Sequence, residues 1–325
     1  MTVSSFSADA LRIDPEKETA RIVDFLKKSI IEFKRKGFVL GVSGGIDSSV
    51  TLALCVKAVG KERVKVLQMP ERHSASETLP LSELIADHFG VARYLEDISP
   101  VLEALQFYRR YGDAIRKAVP DFRDEWKSKL VLHNAVTHGG ISVFHIIVQE
   151  PSGRLIDQRL PYQAYLELLA ATNFKQRTRK MLEYYYADRF NFAVAGTPNR
   201  LEYDQGFFVK LGDGAADVKP IAHLYKTQVY QMAEYLGVPE EIRKRPPTTD
   251  TYSLPQGQDE FYFALPYDKM DLCLYGKNAG KSPAEVAKEI GLTVEQVDLV
   301  YKDIDTKRST TRYLHKGPVL IEAIF

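Results

Sequence analysis

Cysteine is almost absent from this 325-residue chain: only Cys55 and Cys273 occur. Two thiols so far apart exclude a disulfide framework, a CxxC redox pair and a cysteine-based zinc site, and a reducing compartment is expected. An excess of one charge is also missing, since 44 Lys and Arg face 43 Asp and Glu, for a net charge of +1. Proteins that work on a nucleic-acid backbone normally carry a clear basic surplus, so no nucleic-acid partner is expected. No window approaches the roughly 18 uninterrupted apolar residues of a membrane span. The first twenty residues lack the basic and apolar regions of a secretory leader. The expectation is a cytoplasmic protein with no membrane partner. Apolar residues at 45% and charged residues at 27% suit a folded chain with a sizeable core and argue against disorder.

What is present alternates between two periods. Residues 15–36 carry Ile22, Phe25, Leu26, Ile30 and Phe33 on one helical face, with Gly37 as the expected left-handed cap. A strand at 38–42, a glycine loop, a helix at 49–60, a strand at 63–69, a helix at 80–90 and a strand at 92–98 follow. This spacing predicts parallel strands with crossover helices: an α/β fold with a doubly wound parallel sheet flanked by helices. Ligands of such sheets bind at the carboxyl ends of strands. Residues 101–119 read as helix and 120–135 as mixed. Residues 141–161 alternate like a hairpin turning at Pro151-Ser152-Gly153. A long helical period covers 163–190, with a break expected near Thr172-Asn173. A buried strand at 191–196, a helix at 223–237 and a loop at 245–258 come next. Two short helices within 282–304 carry N-cap signals at Ser282 and Thr293. No linker divides the chain, so a single domain over 1–325 is expected.

The loop Ser43-Gly44-Gly45-Ile46-Asp47-Ser48-Ser49 lies between a strand and a helix. Glycines there let backbone N–H groups approach an anion, and the helix N-terminus adds unpaired donors and its dipole. The alternative is a tight turn in which Ser and Asp simply cap the helix. The loop contains no lysine, so it is not the phosphate loop of kinases and GTPases. It does contain Asp47, and a carboxylate beside phosphates calls for a divalent cation between them, which suggests Mg²⁺. The loop resembles the pyrophosphate loop of the N-type ATP pyrophosphatases. That group joins a carboxylate or carbonyl oxygen to the α-phosphorus of ATP and releases pyrophosphate.

Further motifs follow in the second half. Asn173, Arg177 and Arg179 lie in a helical stretch, the two arginines diverging by about 200°. Both would face anions only at a site straddling the helix. Gly196-Thr197 and Glu202 follow the strand at 191–196, at its carboxyl end. Lys210, Asp213 and Asp217 occupy a glycine-rich loop that is otherwise read as a solvated turn. Taken together, these segments resemble the ammonia-dependent NAD synthases, which pair SGGxDS with N-x-x-x-R-x-R, GTxxxxE and a K-x-GDG-x-AD loop. Lys226, Pro247-Thr248-Thr249-Asp250, Asp259-Glu260, and Tyr267 with Asp271 continue the family order. The resemblance covers roughly 20–60 and 170–275.

The resemblance implies a Rossmann-like fold and ATP-dependent amidation. The nicotinate carboxylate of deamido-NAD is adenylated by ATP, and ammonia then displaces AMP to give NAD. It implies Asp47 and Glu202 as Mg²⁺ ligands, with Lys226 completing the catalytic set. Ser43, Gly44, Gly45, Ser48, Ser49, Met69, Arg179, Thr197, Lys226 and Thr248 fall on the ATP side. Asn173, Arg177, Lys210, Asp213, Asp217, Asp259, His315 and Lys316 fall on the deamido-NAD side. A homodimer and free or partner-supplied ammonia are also implied. The alternative is a related amide ligase that adenylates a different carboxylate.

Four features depart from the family pattern. Val209 replaces a threonine before Lys210, and residues 69–80 lack the usual pattern near adenine. His315-Lys316 is followed by Gly317 rather than arginine. An insertion is expected at about 120–161, either covering the acyl pocket or serving as surface elaboration. Within it, His133, His138 and His145 are spaced by five and seven, which fits no standard zinc pattern. They read as solvated or hydrogen-bonded histidines.

Overall fold

The computed structural model describes residues 6–133, 143–247, 251–257, 262–263, 265–322 and 324. Four parallel strands form the central sheet: β1 (Phe38–Gly41), β2 (Val64–Gln68), β3 (Ala92–Leu95), and a two-residue strand, Ala193–Val194, far along the chain. The order is β3-β2-β1 followed by Ala193–Val194, with Phe38 opposite both Val64 and Ala193. Period-two alternation gives β1 two buried faces. Phe38 and Leu40 enter one core with Ile22 and Leu26 of α1 (Pro15–Glu32) and Leu52 of α2 (Ile46–Val59). Val39 enters a second core with Phe107, Tyr111, Ile146 and Leu168. Helices thus cover both faces, as the doubly wound reading expects. A third cluster, including Met270, Cys273, Val297 and Ile304, joins the C-terminal helices. Cys55 lies in the first cluster and Cys273 in the third, and burial raises both thiol pKa values.

Four local expectations are corrected. The left-handed residue after α1 is Lys34, not Gly37. Gly37 serves a different need: a Cβ there would lie 2.1 Å from the Arg63 carbonyl oxygen. The 101–119 helix is two helices, α3 (Ser99–Ala104) and α4 (Phe107–Arg116), separated by Gln106 at φ 56°. The mixed segment contains a strand, β4 (Lys127–His133), which pairs antiparallel with β5 (Val143–Gln149). β6 (Leu155–Arg159) completes the hairpin as expected, giving a separate three-stranded sheet. The long helix α5 (Tyr162–Phe190) is unbroken over 29 residues. Thr172 is accommodated because its hydroxyl donates to the Leu169 carbonyl within the same helix, at 3.0 Å. The helices Thr78–His88 and Lys226–Tyr235 match the reading, whereas Arg200–Gln205 and Glu240–Lys244 are additional to it. Ser282 and Thr293 both form capping boxes, and the helix that Thr293 opens is long, reaching Thr311.

Candidate active site

A cavity of about 530 Å³ opens at the carboxyl ends of the parallel strands. Its floor begins at the glycine loop. Gly44 has φ +70°, and a Cβ there would meet Leu81 Cβ at 2.4 Å, so only glycine fits the close packing. Gly45 is the N-cap of α2 and supplies no side-chain cap. Ser48 and Ser49 do not cap it either, because both hydroxyls donate back to the Gly45 carbonyl, at 3.0 and 2.8 Å. Ser43 Oγ accepts from Gly45 N at 3.4 Å, and no side chain caps the first turn of α2, so its N-terminal dipole faces the cavity.

Asp47, in the first turn of α2, meets two other elements. Its Oδ2 is ion-paired to Lys226 Nζ, and its Oδ1 accepts from Asn199 Nδ2 at 3.1 Å. Asn199 caps the helix Arg200–Gln205 and shares a capping box with Glu202. Its fixed geometry holds Glu202 beside Asp47. Lys226 opens the helix Lys226–Tyr235 and is 1% exposed. Burial opposes its charge, but Asp47 and then Glu202 outweigh burial and raise its pKa. Asp271 steadies the same helix start, accepting from Lys226 N at 3.2 Å and Thr227 N at 2.6 Å. Two carboxylates and one ammonium thus converge beside the free helix terminus.

The opposite wall belongs to α5. Arg179 donates to the Met69 carbonyl at 3.2 Å, at the end of β2, whereas Arg177 donates to the Lys210 carbonyl at 3.3 Å. Both arginines line the cavity, at the two edges of one broad α5 face rather than on opposite sides of the helix. Asn173, Thr197 and Asp213 also line it. Burial pushes the Asp213 pKa up, against a hydrogen bond from Val209 N. Lys210 Nζ is held by the carbonyls of Tyr313 and Lys316, each at 2.9 Å, which draws the C-terminal turn to the rim.

Of the expected site residues, Ser43, Gly45, Asp47, Ser48, Met69, Asn173, Arg177, Arg179, Thr197, Glu202, Lys210 and Asp213 line this cavity. Gly44, within the loop, packs against Leu81 instead of lining the cavity, and Lys226 meets the cavity only through Asp47. Ser49 is buried and turned into its own helix. Asp217 is turned away: its carboxylate accepts from Val194 N and Tyr184 OH and so secures the last strand. His315 packs edge-on against Tyr203 and Phe208 at the rim. Thr248 and Asp259 lie outside the described residues.

The sequence reading missed Gln176, Lys180 and Glu183, which line the cavity. Lys180 and Glu183 form a buried pair at 2.5 Å. The signal was present, because steps of three and four from Asn173 run along one helical face. Phe144, on β5, also lines the cavity and stacks on Tyr165 at 4.0 Å. Beneath the adjoining wall, Lys175 pairs with Glu71 at 2.7 Å and donates to the Thr251 carbonyl at 2.7 Å.

Known proteins resemble this chain in sequence and in fold. The chain matches the NAD synthase family model over residues 18–125 and 135–313. It is 57% identical over 319 residues to the NH(3)-dependent NAD(+) synthetase of Rhizobium meliloti (strain 1021), covering 98% of this chain and 96% of that relative. An NMN synthetase from Francisella tularensis shares the fold with a TM-score of 0.66 at 22% identity, covering 97% of this chain and all of that one. An NH3-dependent NAD synthetase from Campylobacter jejuni does so with a TM-score of 0.62 at 22% identity, covering 95% of this chain and 100% of that one. This chain belongs to the NAD synthase family.

Proposed function

We propose that this cavity carries out ammonia-dependent NAD synthesis, with the adenylating chemistry on the α2 side and the dinucleotide on the α5 side. The observation that carries the division of roles is the convergence of Asp47, Glu202 and Lys226 at the uncapped α2 terminus, facing Arg177 and Lys210 across one cavity. ATP is the co-substrate. The nicotinate carboxylate of deamido-NAD attacks its α-phosphorus, forming an acyl-adenylate and releasing pyrophosphate. Ammonia then attacks the acyl carbon, and AMP leaves as the amide forms.

Ser43, Gly45 and Ser48, with the α2 amides, cradle the departing pyrophosphate. Lys226 neutralises phosphate charge, and Arg179 holds the nucleotide against the end of β2. Asn173, Arg177, Lys210 and Asp213 orient the dinucleotide so that its carboxylate faces phosphorus. The carboxylates of Asp47 and Glu202 are hard oxygen donors brought together by the Asn199 cap, a donor set that fits Mg²⁺. When bound, Mg²⁺ would supply charge compensation for the phosphates.

The same reading takes the protein as a cytoplasmic homodimer, supported by the family resemblance. Among the described residues no helix is long and apolar enough to cross a membrane. It also takes 1–325 as one domain, in which 120–161 is an elaboration that shields the adenylate from water. Phe144 supports that role, whereas the turn at 150–153 lies about 20 Å along the strand from it.

The test is product analysis. Deamido-NAD, MgATP and ammonia should yield NAD, AMP and pyrophosphate in equal amounts, with nicotinate mononucleotide a much poorer acceptor. ADP and phosphate as products would sink the mechanism, and a preference for the mononucleotide would sink the substrate assignment. Asp47→Asn and Glu202→Gln should each abolish adenylation while leaving the fold intact.

A further inference from the structure

The antiparallel sheet carries a group of ligand-type side chains that the reaction does not use. On β5, Ile146 and Val148 point into the second core, so His145 between them and Phe144 projects from the opposite face. In the register, His145 is paired with Val131 of β4 and Arg159 of β6. His133 and Asp157 are therefore its diagonal neighbours on either side, within reach on the same face. The side chains do meet. His145 Nδ1 lies 2.7 Å from Asp157 Oδ1, and His133 Nε2 lies 3.5 Å from Asp157 Oδ2. The two imidazoles are stacked, with centroids 4.1 Å apart. One ligand atom from each of the three residues falls within 4.8 Å of the other two.

We propose that His133, His145 and Asp157 form a binding site for a divalent first-row transition ion, of which Zn²⁺ is the model. Two imidazoles and one carboxylate suit Zn²⁺, Co²⁺ or Ni²⁺, whereas Mg²⁺ and Ca²⁺ prefer all-oxygen sets. Three protein ligands leave a fourth position for water. Bonds of about 2 Å in a tetrahedron put ligand atoms about 3.3 Å apart. The present arrangement reaches that spacing by side-chain rotation, including a turn of the stacked rings toward the ion. The sheet provides room for it, since Asp157 is on an exposed strand and both imidazoles are partly open. Binding replaces the contact between His145 and Asp157 with a bond from each to the ion.

The site is separate from the nucleotide-side carboxylates and joins three strands at one point. Phe144, the neighbour of His145 in sequence, lines the cavity. An ion here would stiffen the wall that Phe144 belongs to. Lys129 and Arg159, on the same face by alternation, set a positive field against the ion, so moderate affinity is expected rather than the very tight binding of closed structural zinc sites.

The test uses the full chain, stripped with chelator and kept in excess Mg²⁺ to occupy the nucleotide side. Titration with Co²⁺ should give one equivalent bound per chain, with visible ligand-field bands of a four-coordinate site that Zn²⁺ erases. Asp47→Asn should retain this equivalent, and His145→Gln and Asp157→Asn should each weaken it at least tenfold. Circular dichroism checks that the variants fold. Should His145→Gln fail to fold, Asp157→Asn, on the exposed edge strand, carries the test. Absence of ligand-field bands in the wild-type protein would overturn the proposal. So would one-equivalent binding that survives in the folded His145 or Asp157 variant.

Discussion

Lys175 and Glu71, 104 positions apart in sequence, form an ion pair at 2.7 Å with side-chain exposures of 1% and 0%. The pair fastens the segment after β2 to α5, and the Lys175 bond to the Thr251 carbonyl extends it to the loop beyond. Burial works against the Glu71 charge, but Lys175 and the other nearby groups outweigh it and hold the carboxyl below its ordinary pKa. Lys175→Met should cost roughly 3–5 kcal/mol, because it strands a buried carboxylate. Adding Glu71→Gln to that variant should restore most of the loss. A double-mutant cycle by urea denaturation reads both numbers, and additive losses would contradict the pairing.

His73 sits among the rings of Phe107, Tyr108 and Tyr111, with centroids 5.3–5.9 Å away. Burial, and next the charge of Lys175, lower its pKa from 6.5 to about 4. Between these values the unfolded chain takes up a proton that the folded chain refuses. Stability contributed by His73 is therefore full above about pH 6.5 and falls on acidification toward 4, by up to about 3 kcal/mol. His73→Phe should flatten that acid limb in stability measured against pH.

Asp271 has the opposite sign. Burial lifts its carboxyl from 3.8 to about 7, outweighing the hydrogen bonds from Thr227 and Lys226. Its folded-state pKa is raised, so its contribution is present below about pH 3.8 and is lost as pH rises through about 7. Asp271→Asn should remove this decline while keeping one of the two N–H acceptors at the helix start. Paired melting curves at pH 5 and pH 8 measure the change in slope.

Arg177 and Arg179 should separate kinetically. Arg179→Ala should raise KM for ATP roughly 10- to 100-fold, the loss of one charge-assisted contact. Arg177→Ala should raise KM for deamido-NAD by a similar factor and leave that for ATP nearly unchanged. Steady-state kinetics with each substrate varied in turn distinguishes them, and equal effects on both substrates would refute the division of the cavity.

Phe144→Ala should open the wall that β5 contributes. At limiting ammonia, water then competes for the acyl-adenylate, so AMP release should exceed NAD formation. A variant in which the two products remain equal would show that this wall is not a shield.

The parallel sheet was legible because its signals are local: buried β-rich runs, a glycine loop and helices at crossover spacing. The α2 side of the cavity was legible for the same reason, since Ser43 to Ser48 form one continuous segment. Strand β4 escaped because a serine occupies a core-facing position. Ser128 is fully buried and bonded to the Tyr111 hydroxyl at 2.7 Å, which hides the apolar alternation. Lys175 stands in no motif, and only its pairing with Glu71 shows it to be a buried charge. Asp217 matched a motif, yet its carboxylate holds backbone and tyrosine rather than facing the cavity. The histidine spacing could not show the cluster with Asp157, since strand register, not sequence distance, brings those atoms together.

The pairing of β1 with Ala193–Val194 has a kinetic meaning. These neighbours are separated by two crossover units, the whole antiparallel sheet and the length of α5. Thr197 and Glu202 hang from the last strand, while Ser43 and Asp47 follow the first. The two halves of this cavity wall therefore meet only after this long loop has closed, and closure entropy must be overcome before the contacts reward it. The first three strands can collapse early around α2, but the site is assembled late. A refolding chain should recover most of its helical signal before it regains the ability to bind nucleotide.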